Sequence, residues 1–132
     1  MRRPVLLRAG SALLAVASLG ILAAPITILR THPDLATRAG RHVFAGAMGL
    51  TAVALLECLL ALFPLRRGDR WALPVAALPF LVVGLPIFVV DATYVPRAAR
   101  FNTLAPQAAG LLVGTLALAM CARGMVGKRA GT

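Results

Sequence analysis

Apolar residues run almost unbroken through four stretches, residues 5–29, 43–65, 71–90 and 104–122, and most charged residues collect between them. Each stretch is close to the roughly 20 residues that a helix needs to cross about 30 Å of hydrocarbon. In lipid the backbone N–H and C=O groups must be satisfied internally, so runs of this length predict transmembrane α-helices. The expected fold is all-α, a transmembrane four-helix bundle forming a single domain over residues 1–132.

The connections are regular. Segments 30–42 and 91–103, each 13 residues long, join the first to the second run and the third to the fourth. Between these two hairpins lies a tight turn, Arg66-Arg67-Gly68-Asp69-Arg70, whose Gly-Asp pair suits a reversal. Each long connection contains a proline followed by Arg-x-x-Arg, namely Pro33 with Arg38 and Arg41 and Pro96 with Arg97 and Arg100. The pattern hints at two parallel hairpin repeats, although chance accounts equally well for two short arginine pairs. Asp34 after Pro33 can cap the second helix, which then starts near Leu35. The basic tail after Cys121 is expected to be disordered.

Composition strengthens the membrane reading. Hydrophobic residues make up 60% of the chain, and the mean hydropathy is +0.87. A soluble domain holds about 45–50% apolar residues. A formal net charge of +10 would suggest nucleic acid in a soluble protein. Here the charges flank apolar runs, so orientation and membrane lipid explain them and nucleic acid is not expected. Thirteen of the fourteen basic residues are arginine, a bias that suggests a GC-rich bacterial genome and hence the bacterial cell membrane. Trp71 and Tyr94 sit beside span ends, where amphipathic rings favour the headgroup zone.

Charge also orients the spans. With the N-terminus inside, nine basic residues lie inside (Arg2, Arg3, Arg8, Arg66, Arg67, Arg70, Arg123, Lys128, Arg129) and five outside (Arg30, Arg38, Arg41, Arg97, Arg100). That asymmetry places both termini in the cytoplasm. Met1-Arg2-Arg3 with the apolar run up to Leu22-Ala23-Ala24-Pro25 also resembles a signal peptide. The run is longer than a usual signal core and Pro25 fits a cleavage site badly, so an uncleaved first helix is expected.

The second run is the most informative. At 100° per residue, Arg38, His42, Gly46, Gly49, Val53 and Glu57 share a sector of about 100°. Charge facing lipid is costly, so this stripe should face other helices. It is either a polar-ended cavity or a packing seam in which glycines let helices approach, and the seam is favoured for Gly46 and Gly49. Glu57 lies about 9 Å from the inner end of its helix at 1.5 Å per residue. Arg8, about a turn inside the first span, is its candidate ion-pair partner. Paired, Glu57 is a structural clamp; unpaired, it stays largely protonated and marks a proton or substrate site.

Asp91 closes the third run on the same side as Arg38, Arg41 and His42. These four can converge on an anionic head group, with arginines forking a phosphate or carboxylate, or simply form salt bridges across the bundle mouth. His32 and His42 lack further ligands at metal-site spacing, so no metal is expected. Gly110-Leu-Leu-Val-Gly114, continued by Ala117 and Cys121, can mediate homo-oligomerisation or intramolecular packing, and packing is favoured. Pro79 and Pro86 should bend the third helix. Cys58 and Cys121 form no CxxC pair and read as buried free thiols. There is no phosphate-binding glycine loop, no Gly-x-Ser-x-Gly elbow and no zinc-protease histidine pair. The two serines, Ser11 and Ser18, lie inside the first run, which points away from hydrolytic chemistry.

The layout, with Arg38-x-x-Arg41 leading a Gly-rich second span and Asp91 closing the third, resembles small DoxX-like bacterial membrane proteins. The resemblance covers most of the chain through hydropathy and a handful of residues. It implies a four-helix bundle; some such proteins are associated with quinone-linked sulfur oxidation, and many have no assigned activity. No catalytic residue follows from it, and no motif identifies a cofactor. Three functions remain: a subunit or scaffold of a membrane assembly with a protein partner, a binder of a lipid or quinone-like amphiphile, or a small proton-coupled transporter or membrane enzyme using Glu57. The first is the leading expectation.

Overall fold

Prolines shape the helices of this protein, whose computed structural model describes residues 3–126. Helix α1 (Arg3–Ile21) is separated from α2 (Ala23–Arg30) at Leu22. Pro25 is the cause, because it has no N–H to donate to the carbonyl of Ile21. Leu22 N instead closes a tighter bond to Leu19 O at 3.1 Å, and Ile26 N resumes the ladder to Leu22 O at 3.2 Å. Helix α3 (Arg38–Leu60) continues through a π-helical turn (Ala61–Leu65) that accommodates Pro64. The same device recurs between α4 (Ala72–Pro79) and α5 (Leu85–Tyr94), where the π-helical turn Phe80–Gly84 precedes Pro86. Helix α6 (Arg97–Val126) is continuous. No strand occurs among the described residues.

Together these elements make four helices long and apolar enough to cross a membrane: Pro4–Arg30, Arg38–Leu65, Ala72–Tyr94 and Arg97–Val126. The expected runs are therefore present but longer. The fourth helix begins at Arg97, directly after Pro96, and extends to Val126. Residues 122–126, expected in a disordered tail, are helical; the rest of that tail, residues 127–132, lies outside the described residues, as do Met1 and Arg2 of the N-terminal signal-like segment.

The start of α3 also differs. Thr37, not Asp34, is the cap: its Oγ1 accepts from Gly40 N at 3.0 Å. Asp34 forms an earlier turn, accepting from Ala36 N at 2.9 Å through Oδ1 and from Thr37 N at 3.1 Å through its carbonyl. That extra turn delays the helix to Arg38. Gly40 makes it possible, because a Cβ there would overlap the Asp34 carbonyl. At the other end Gly68, with φ 85°, stops the helix; the left-handed conformation suits a residue without Cβ.

The core is built from small side chains. Leu14, Ala15, Leu60, Ala61, Leu65, Ala72, Ala76, Ala117, Cys121 and Met125 form one buried cluster. The first and fourth spans approach closely where Gly10 faces α6, and a Cβ on Gly10 would lie 2.9 Å from Ala117 O and Cys121 Sγ. Small residues permit such backbone approach. In the third span only Ala72 and Ala76, both in α4, are buried. The third span is thus packed into the bundle at the Arg66 end and splayed from α3 at the Arg38 end, where α2 still packs on α3 and α5 on α6.

Candidate functional site

The splay opens a cleft between α3 and the third span. Its volume is about 580 Å³, and Gly46, Gly49, Leu50 and Val53 line one wall while Val83 and Ile87 line the other. Ile28 of α2 and His42 lie at its Arg38 end. From His42 to Val53 the cleft follows α3 for about 16 Å at the helical rise. Both glycines of the expected packing seam face open space, since a Cβ on Gly46 or Gly49 would meet nothing within 4 Å. The seam expectation is corrected here. The third span packs on α3 through α4, and the half beyond Phe80 leans away instead of nesting on the glycines.

The expected head-group residues divide into three sets. Arg38 and His42 lie one turn apart, and Arg38 Nε donates to His42 Nε2 at 3.4 Å. Arg41 is turned into the preceding loop, where Nη1 donates to the carbonyls of Leu35 at 3.1 Å and Ala36 at 3.0 Å. Those bonds organise the loop that Thr37 caps, and they remove Arg41 from the group. Asp91 is half-buried on α5, and its Oδ2 accepts from Gln107 Nε2 across the third and fourth spans. Gln107 Oε1 is buried without a partner among the described residues. No sequence pattern singles out Gln107, although it is the one glutamine of the chain and stands inside an apolar run.

Glu57 is fully buried. Its hydrogen-bond partner is Ser18 of α1, whose Oγ lies 3.3 Å from Oε2 and donates to Leu14 O at 2.8 Å. Glu57 Oε1 has no partner among the described residues. The expected clamp with Arg8 is not formed. Arg8 is exposed, and ten residues separate it from Ser18 on α1, about 15 Å at the helical rise. The reason is register. The second helix runs on through Pro64 to Arg67, so Glu57 lies about 15 Å from its end, deeper than the apolar run implied. Glu57 points within about 20° of Gly46 and Leu50 around α3, one turn past Val53. It thus lies one turn beyond the last α3 residue that lines the cleft, covered by Ser18 and the core.

The remaining candidates are packing features. A Cβ on Gly114 would overlap the ring of Phe80, whereas a Cβ on Gly110 would meet nothing within 4 Å. Gly114 is therefore filled from within the chain by the third span. Cys121 is buried and Cys58 half-buried, and both are free thiols. Among the described residues no three His, Cys, Asp or Glu side chains gather in a metal-binding group. No family model, curated protein or solved structure matches the chain.

Proposed function

We propose that this protein is a multi-pass protein of a bacterial cell membrane, with both termini cytoplasmic, that holds the acyl chain of a phospholipid in the cleft between α3 and the third span. One observation carries the reading: two glycines face an apolar cleft of about 580 Å³ that none of the described residues fills. The length of the cleft, about 16 Å, matches one leaflet of a hydrocarbon core about 30 Å thick. At its outer end Arg38 and His42 offer donors at the level where a phosphate would lie. The resemblance to DoxX-like proteins belongs to this proposal only for the four-helix layout.

Native mass spectrometry after gentle extraction tests it. One phospholipid per chain is expected, and Gly49→Leu, which places a side chain in the cleft, should remove it while helicity is retained. A bare chain under conditions that keep lipid on other membrane proteins would sink the proposal.

A second reading, the subunit of a membrane assembly, is supported by the bareness of the third span, where no residue of α5 is buried. A partner helix would cover Leu81, Val82, Leu85 and Val89, all exposed. The same spectra test it, because a stoichiometric second chain should survive with the protein. Gly110 and Gly114 fit a homo-oligomer poorly as a pair, since the Phe80 ring already occupies Gly114.

A further inference from the structure

Charge of both signs stands one turn beyond the lining of the cleft, Arg38 on α3 and Asp91 on α5. His42 and Ile87 line the cleft from α3 and α5. Arg38 stands one turn beyond His42, and Asp91 one turn beyond Ile87, each four residues on along its own helix. Neither lines the cleft itself; both stand one turn beyond a lining residue at the same end, on the two helices that form its walls. They do not neutralise one another: the hydrogen bond of Arg38 goes to His42 and that of Asp91 to Gln107.

The Asp91 wall is rich in acceptors and poor in donors. A carboxylate has about four lone-pair sites, and the Asp91 side chain receives one bond, from Gln107 Nε2. The same amide ends in Oε1, which is buried with no partner among the described residues. A buried acceptor without a donor is costly. The Arg38 wall is the opposite, offering guanidinium donors to an anion. A ligand that matches both walls carries a phosphate and, a short linker away, a cation with several N–H donors.

We propose that the cleft selects a zwitterionic phospholipid with a primary ammonium head group, of the phosphatidylethanolamine class. Its phosphate is held by Arg38 beside His42, and its ammonium by Asp91 in the orientation set by Gln107. A choline head carries the same charge but has no N–H to donate. A glycerol head donates through hydroxyls but offers Asp91 no positive charge. The proposal rests on the reading of the cleft as a lipid site and adds the identity of the head group.

The test titrates the delipidated full-length protein in mild detergent with phosphatidylethanolamine, phosphatidylcholine and phosphatidylglycerol of identical acyl chains, read by native mass spectrometry. The ethanolamine lipid should bind about fivefold tighter than the other two, the ratio that one partly exposed ion pair supports. Asp91→Asn keeps an acceptor for Gln107 and should erase that preference while all three lipids still bind. Arg38→Ala should weaken all three. Equal affinities in the unsubstituted protein, a preference for glycerol or choline, or a preference that survives Asp91→Asn would each overturn the head-group assignment and leave the cleft standing. Absence of binding by every lipid, or binding indifferent to Gly49→Leu, would overturn the lipid site itself.

Discussion

Ser18 Oγ lies 3.3 Å from Glu57 Oε2, and this contact joins the first and second spans at mid-height of the bundle. The serine hydroxyl has a single proton and its shorter bond is to Leu14 O, at 2.8 Å. Among the described residues one polar side-chain pair thus links the two spans, and Glu57 Oε1 is left without a donor.

Removing one member of that pair is predicted to be worse than removing both. Ser18→Ala strands the buried carboxyl and should cost about 1–3 kcal/mol, the usual penalty for an unsatisfied buried group. The double variant Ser18→Ala with Glu57→Leu should recover most of that loss, because an apolar pair of similar shape leaves nothing unsatisfied. Equilibrium unfolding in mixed micelles measures both. A double variant weaker than Ser18→Ala alone would show that the carboxyl contributes through contacts other than Ser18.

Three helix glycines should separate cleanly. Gly114→Ala drives a methyl into the Phe80 ring and should destabilise by about 1–3 kcal/mol, as overpacking does. Gly46→Ala and Gly110→Ala place the same methyl in open space. Both should be neutral or gain up to about 1 kcal/mol from helix propensity. If Gly46→Ala proves as damaging as Gly114→Ala, the cleft is closed around Gly46.

At the head of α3, Thr37→Ala removes the acceptor for Gly40 N and should cost about 1 kcal/mol, as loss of an N-cap does. Gly40→Ala should cost more, since the Asp34 carbonyl occupies the space its Cβ needs. Asp34→Ala loses only the Ala36 N bond and should be the mildest of the three. Hydrogen exchange at the Gly40 amide gives a local readout alongside overall stability.

Much of this was legible because hydrophobicity and helical periodicity are local. The four apolar runs marked all four long helices. The helix ends lie beyond the runs where polar residues stay helical, as over residues 97–102, or where a π-helical turn carries the chain past Pro64. The extension to Arg67 is also why Glu57 was set too shallow and Arg8 too near. Gln107 passed unnoticed because an amide is informative only once its partner, 16 residues away on another span, is known.

The sequence by itself determined the class, the number of long helices and the face of α3 that runs from Arg38 to Glu57, because a 3.6-residue period assigns each residue a direction. It could not determine what stands opposite that face. Only the tertiary structure decided that Ser18 meets Glu57, that Phe80 fills Gly114 and that the third span leaves Gly46 and Gly49 uncovered. The physical reason is register: the axial offset and splay between helices are set by small-residue contacts such as Gly10 on Ala117 and Cys121, and periodicity within one helix carries no information about them.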